Sequence, residues 1–237
     1  MKKIGIIIFI AALVVGVVVA NVFSFGSVSA ESFKPSFLNF SFKRGVKGSG
    51  NVATETRDIS DFKAIDVSGV FNVEIVAQKE FSVVVEADDN LIPLIKTEVR
   101  DGILEISTDK RIKSKSRLTV RISAPNIEKI EASGATKVSL SEVMNSSLTI
   151  DTSGASKINL SGKTDLLNVD VSGASKIDAE NLSVADAVVD ASGASKVMVN
   201  VSRELKADCS GASSVVYSGT PTNIEKRLTG ASKVVSK

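Results

Sequence analysis

The sequence predicts an all-β protein. It reads as a right-handed parallel β-helix with a repeat of about 18–20 residues in a flattened, two-sheet coil, preceded by an irregular β cap and an N-terminal hydrophobic export helix. Three observations lead to this reading. One short phrase recurs six times between residues 133 and 233. Alternating apolar and polar residues flank the copies, which is the period of strands with one buried face. Aromatic residues make up 5% of a chain that is 43% hydrophobic, which favours strands of Val, Ile, Leu and Ala over a core of large rings.

The phrase is Ser153-Gly154-Ala155-Ser156-Lys157 in one copy, and its glycines are Gly134, Gly154, Gly173, Gly193, Gly211 and Gly230, a spacing of about 19 residues. A period in this range marks stacked supersecondary units, none of which can bury its apolar face alone. Leu167, Val169 and Val171 alternate before Gly173, and Val197 and Val199 do so after Gly193. The glycines read as structural turn residues with positive φ, between Ser and Ala side chains small enough to stack. A second polar break falls half a period later, as in Ser161-Gly162-Lys163-Thr164-Asp165 and Ser218-Gly219-Thr220-Pro221. Two bends per period make a flattened coil that pairs with the next at about 4.8 Å. Right-handed winding is the rule for parallel crossovers. Leucine-rich, hexapeptide and calcium-binding nonapeptide repeats each need a signature that this chain lacks.

These serial turns resemble a bacterial family called putative auto-transporter adhesin, head GIN domain, a domain of unknown function. Two upstream stretches join the resemblance, Val67-Ser68-Gly69-Val70-Phe71-Asn72-Val73-Glu74-Ile75 and Glu86-Ala87-Asp88-Asp89-Asn90-Leu91-Ile92. It extends roughly from Phe62 to Val216. It implies a pectin-lyase-like β-helix with glycine turns between two sheets and a proposed role in adhesion, and it brings no catalytic residues with it.

Residues 1–30 read as a signal peptide or membrane anchor, 31–57 as a linker and 58–237 as the head GIN-type domain, divided into an irregular cap (58–126) and repeat coils (127–237). Lys2 and Lys3 precede an apolar run from Ile4 to Val22, and Val28-Ser29-Ala30 offers small residues for a signal peptidase. The run exceeds an ordinary signal core and approaches the ~20 residues that span a bilayer, so cleavage after Ala30 and an uncleaved anchor are both open. In either case this segment contacts the membrane during or after export, and the rest of the chain belongs in the periplasm, on the surface or outside the cell. The linker, with Lys47-Gly48-Ser49-Gly50-Asn51, reads as a tether that becomes the first strand. In the cap, strands are expected at Phe62–Val67, Val70–Ala77, Phe81–Ala87, Ile103–Ser107 and Leu118–Ser123, with a helix or strand over Asn90–Val99. Without the short repeat, this half is expected to cover the first coil and block edge-to-edge aggregation.

Lys and Arg total 29 against 27 Asp and Glu, a balance that gives no footprint for nucleic acid. The regular charges flank the glycines. Asp151, Asp170, Asp190 and Asp208 stand three positions before, with Glu131 in the first copy, and Lys157, Lys176 and Lys196 stand three after, with Lys137. Stacked, they form an acidic and a basic ladder, whose simplest role is ion pairing across each turn. Two other roles are open for them: a recognition surface, or, for the acids, a calcium site or general acid/base pair.

With no histidine, Ser-His-Asp, Cys-His and histidine-ligated metal sites are unavailable, and no catalytic, metal or cofactor residues are assigned. The lone Cys209 falls in the inward column, where a buried thiol is a small core residue. The reading is an exported, non-enzymatic, adhesin-like binding module for a surface glycan or protein, or for a second copy of itself, with the ladders as contact surface. A polysaccharide-active enzyme and a structural envelope protein are the alternatives.

Overall fold

The structure, a computed structural model, describes residues 45–114 and 117–237. The export segment and most of the linker lie outside the described residues. In chain order the strands are β1 (Val46–Lys47), β2 (Val52–Arg57), β3 (Ala64–Gly69), β4 (Asn72–Val76), β5 (Ser82–Asp88), β6 (Ile95–Arg100), β7 (Ile103–Thr108), β8 (Ile112–Lys113), β9 (Thr119–Ser123) and β10 (Lys129–Gly134). They continue as β11 (Lys137–Thr152), β12 (Lys157–Val171), β13 (Lys176–Ala191), β14 (Lys196–Cys209), β15 (Ser214–Ser218), β16 (Asn223–Leu228) and β17 (Lys233–Ser236). The stretch Asn90–Val99 divides. Pro93 helps set a single 3-10 turn at Ile92–Leu94, and β6 follows. No helix among the described residues is long and apolar enough to cross a membrane.

The repeats form a parallel β-helix in which each glycine corner joins a strand on one face of the coil to a strand on the other. The face before the corner holds β7, β3, β10, the second halves of β11 to β14, and β16. The face after it holds β9, β4, the first halves of β11 to β14, then β15 and β17. Neighbours are parallel and in register at the corner, with Val138 opposite Ile158 and Val169 opposite Val189. In-register stacking puts alternate side chains into one continuous column of buried Ile, Val, Leu and Ala, and a one-residue slip would turn that column out into water.

The second bend, expected as a polar break, does not interrupt the strands. β11 to β14 run for 14 to 16 residues straight through it. The bend is made by register shifts within the strands, as between Leu140 and Val143, with Glu142 at φ 59° and Gly162 at φ 126°.

The stack also begins earlier than residue 127. β3 and β4 form a coil of their own around Ser68-Gly69-Val70, with Gly69 in register with Gly134 and Asn72 with Lys137. Because β3 pairs with β10 on one side and β7 on the other, the chain lays this coil first, adds β7 and β9 on its outer side, then returns to grow the stack from β10. Antiparallel strands cover the outer layer, β6 on β7 and β5 on β9, with β2 beyond β5. The cap therefore consists of two parallel layers and an antiparallel cover. The linker's last residues enter it as β1, paired with β8, and as β2.

Candidate functional site

The corners form the most regular surface of the molecule. Gly154, Gly173 and Gly193 hold φ of 86°, 82° and 73°, and a Cβ on any of them would lie 2.5 Å from the carbonyl oxygen of the glycine one coil earlier. The following alanine N–H donates to that same oxygen, as Ala155 does to Gly134 and Ala174 to Gly154, both at 2.8 Å. Beneath the corner runs a buried hydroxyl column of Thr136, Ser156, Ser175, Ser195 and Ser213. Thr136 and Ser156 share a hydrogen bond of 3.0 Å, and Ser213 Oγ donates to the Ala191 carbonyl at 3.0 Å.

On the face before the corner the acids stand in single file. Glu105, Asp66, Glu131, Asp151, Asp170, Asp190 and Asp208 are successive register partners, and Arg227 closes the row. On the face after it, Lys137, Lys157, Lys176 and Lys196 are successive partners, followed by Ser214 and Lys233. The structure thus gathers Asp151, Asp170, Asp190 and Asp208 in one column and Lys157, Lys176 and Lys196 in another, with the corner between them. Asp66 and Glu105 extend the acidic row beyond the repeats. Asp66 was legible, since it precedes Gly69 by the same interval as the other acids precede their glycines.

Ion pairing across the turn is not formed among the described residues. Outward side chains on either side of a corner diverge, whereas next-but-one neighbours on a single strand share a face. Lys129 accordingly bridges Glu131 and, at 2.9 Å, Asp151, while Lys176 lies 3.7 Å from Asp178. The hydrogen bonds to Glu131 and Asp151 hold the Lys129 ammonium well above its ordinary pKa. At the outer end Arg100 holds Glu105 at 3.4 Å, whereas Asp66, Asp170, Asp190 and Asp208 form no ion pair among the described residues. Burial pushes the Asp190 carboxyl up, with Asp170 and Asp208 adding to the shift. Burial likewise raises Asp66, helped by Glu131 and Glu105 and partly offset by Lys129.

Two open grooves lie along this row, one of about 400 Å³ bordered by Asp66, Glu131, Asp151 and Asp170, the other of about 260 Å³ at Asp190, Asp208, Lys206 and Arg227. Their carboxylates stand in line and do not converge. Among the described residues no group of three Asp, Glu, His or Cys side chains is placed to hold a metal ion. Cys209 is fully buried, in register with Ala191 and Leu228, and burial pushes its thiol up.

A flattened parallel β-helix with stacked glycine corners and charge sorted by face defines the class of this protein. It belongs to the family described as putative auto-transporter adhesin, head GIN domain, whose model matches residues 61–221. Among solved structures it is similar to a putative adhesin from Bacteroides fragilis, at 20% identity and a TM-score of 0.69, over 81% of this chain and 100% of that one. A putative adhesin from Parabacteroides merdae shares 18% identity at a TM-score of 0.50, over 81% of this chain and 98% of that one. At these identities the likeness is one of fold. No curated protein matches the chain significantly.

Proposed function

We propose that the chain is an exported, non-enzymatic binding module of the adhesin kind, and that it meets its partner through the ladders on either side of the glycine corner. The observation that supports this is the constant spacing of like groups, Asp151, Asp170, Asp190 and Asp208 on one side and Lys157, Lys176 and Lys196 on the other, all in register. Identical groups at steps of about 4.8 Å can meet a repeating polymer, or a second copy of the protein, at several points, so that weak contacts add into avidity. The N-terminal basic and apolar segment and the family support the export in this reading.

Replacing Lys157, Lys176 and Lys196 together by Ser, the residue at Ser214 in the same column, tests the surface. Exposed single charges are worth about 0–1 kcal/mol, so the melting temperature should hardly move, while beads coated with the triple variant should lose attachment to glycan arrays and cells. Attachment equal to the parent's would rule this face out. Turnover of any glycan by the parent would rule out a non-enzymatic role.

A further inference from the structure

The glycine column ends at Gly69, and the repeat breaks there. Six corners carry Ala after the glycine, whereas this one carries Val70, which is 68% exposed; Phe71 then takes the place of the buried hydroxyl and Asn72 that of the lysine. The next layer outward, β7 and β9, has no tight corner. The residues flanking it, 109–114 with β8 and 117–118, stand away from Val70 instead. Between them lies a cavity of about 530 Å³, a size typical of small-molecule sites.

Its walls sort by chemistry. Val70, Ile112 and Leu118 supply apolar surface, and Lys113, Arg117 and Lys137 supply three cations, with no carboxylate in the lining. None of these three cations is in an ion pair among the described residues. Arg121, further along the same face, by contrast holds Glu86 at 2.9 Å and Glu74 at 3.4 Å. Lys137 is also the first rung of the basic ladder, so positive charge continues from the mouth along Lys157 and Lys176. Unneutralised cations around an apolar recess favour a ligand that offers an anionic head and a hydrocarbon tail together, because neither group alone satisfies both surfaces.

We infer that this recess binds a free single-chain amphiphilic anion, a carboxylate or phosphate on an alkyl chain. The tail lies against Val70, Ile112 and Leu118, and the head is held by Lys113, Lys137 and Arg117. The site shares Lys137 with the basic ladder but none of Lys157, Lys176 and Lys196, so either can fail without the other.

Isothermal titration of the exported protein, purified without detergent, tests the inference with three probes: octyl phosphate below its micelle concentration, octyltrimethylammonium and inorganic phosphate. Octyl phosphate should bind, and each of the other two should bind at least about tenfold more weakly. The double variant Lys113→Ser/Lys137→Asn removes two charge-assisted contacts at exposed positions and should weaken octyl phosphate about tenfold or more. Val70→Ala, the residue of the other corners, should weaken it about threefold while leaving the melt unchanged. Equal binding of octyltrimethylammonium would overturn the inference, as would inorganic phosphate binding as tightly as octyl phosphate, or octyl phosphate binding untouched by the double variant. Sedimentation with anionic lipid vesicles in the absence of octyl phosphate binding would overturn it too, and would assign the cations to a bilayer surface.

Discussion

Two glycines show what the corner demands of a single residue. Gly50, in the cap, has φ 92° with nothing within 4 Å of where a Cβ would stand, whereas at Gly173 φ is 82° and the Gly154 carbonyl oxygen would lie at 2.5 Å. Gly50→Ala should therefore cost only its backbone strain, about 1–3 kcal/mol. Gly173→Ala should cost more, because the obstacle is backbone fixed in a hydrogen-bonded ladder and cannot rotate aside, and Gly173→Val more again. Denaturant melts of the three variants check the order. Equal losses for the two alanine variants would show that conformation alone selects the corner glycines.

At the scale of the element, the acidic row carries an electrostatic cost that depends on pH. Asp190 lacks a cation such as Lys129, and burial together with Asp170 and Asp208 raises its folded-state value above the ordinary 3.8. The folded chain then holds this proton more tightly than the unfolded chain does. Stability falls as pH rises from about 3.8 through the raised value, and it stays lower above that window. Asp190→Asn should accordingly stabilise the fold at pH 7 by about 0.2–1 kcal/mol, the scale of like charges facing across strands, and should do nothing at pH 3. Thermal melts at the two pH values decide it, and an equal gain at both would assign the effect to packing.

For the whole molecule, the two ends of the stack are finished differently. Antiparallel β6 and the β5–β2 pair cover the N-terminal layer, while the last coil exposes β16 and β17, with Leu228 of the inward column 47% accessible. Lys226 stands in that column opposite Ala207, its ammonium 5.5 Å from the Tyr217 ring centre and 3.3 Å from the Val234 carbonyl. A charge at an inward position discourages another β edge from stacking there. Lys226→Ile, which restores an apolar column, should produce concentration-dependent association in sedimentation velocity runs, and a variant with the parent's association behaviour would show that the lysine does not guard the end.

The sequence alone determined the β-helix, its corners and the two ladders, because a period of about 19 residues with alternation on both sides of Gly154 or Gly173 has one economical way to bury its apolar face. It also placed Cys209 in the core, since parity along a strand is a local property. Tertiary structure decided what depends on contacts between distant segments. Gly69 joins the corner column because β10 returns to pair with β3 across a long stretch of intervening chain; the Asp66-to-Gly69 interval matches the other corners, but which strand β3 would pair with is set only by that return. The ladders fail to pair across the turn because a corner sends outward side chains apart, a direction that parity does not encode. The recess at Val70 exists only where the β8 segment stands beside the last tight corner, and Lys113 and Lys137 line it together although β8 pairs with β1 and β11 belongs to the coil, a neighbourhood that only the tertiary fold creates.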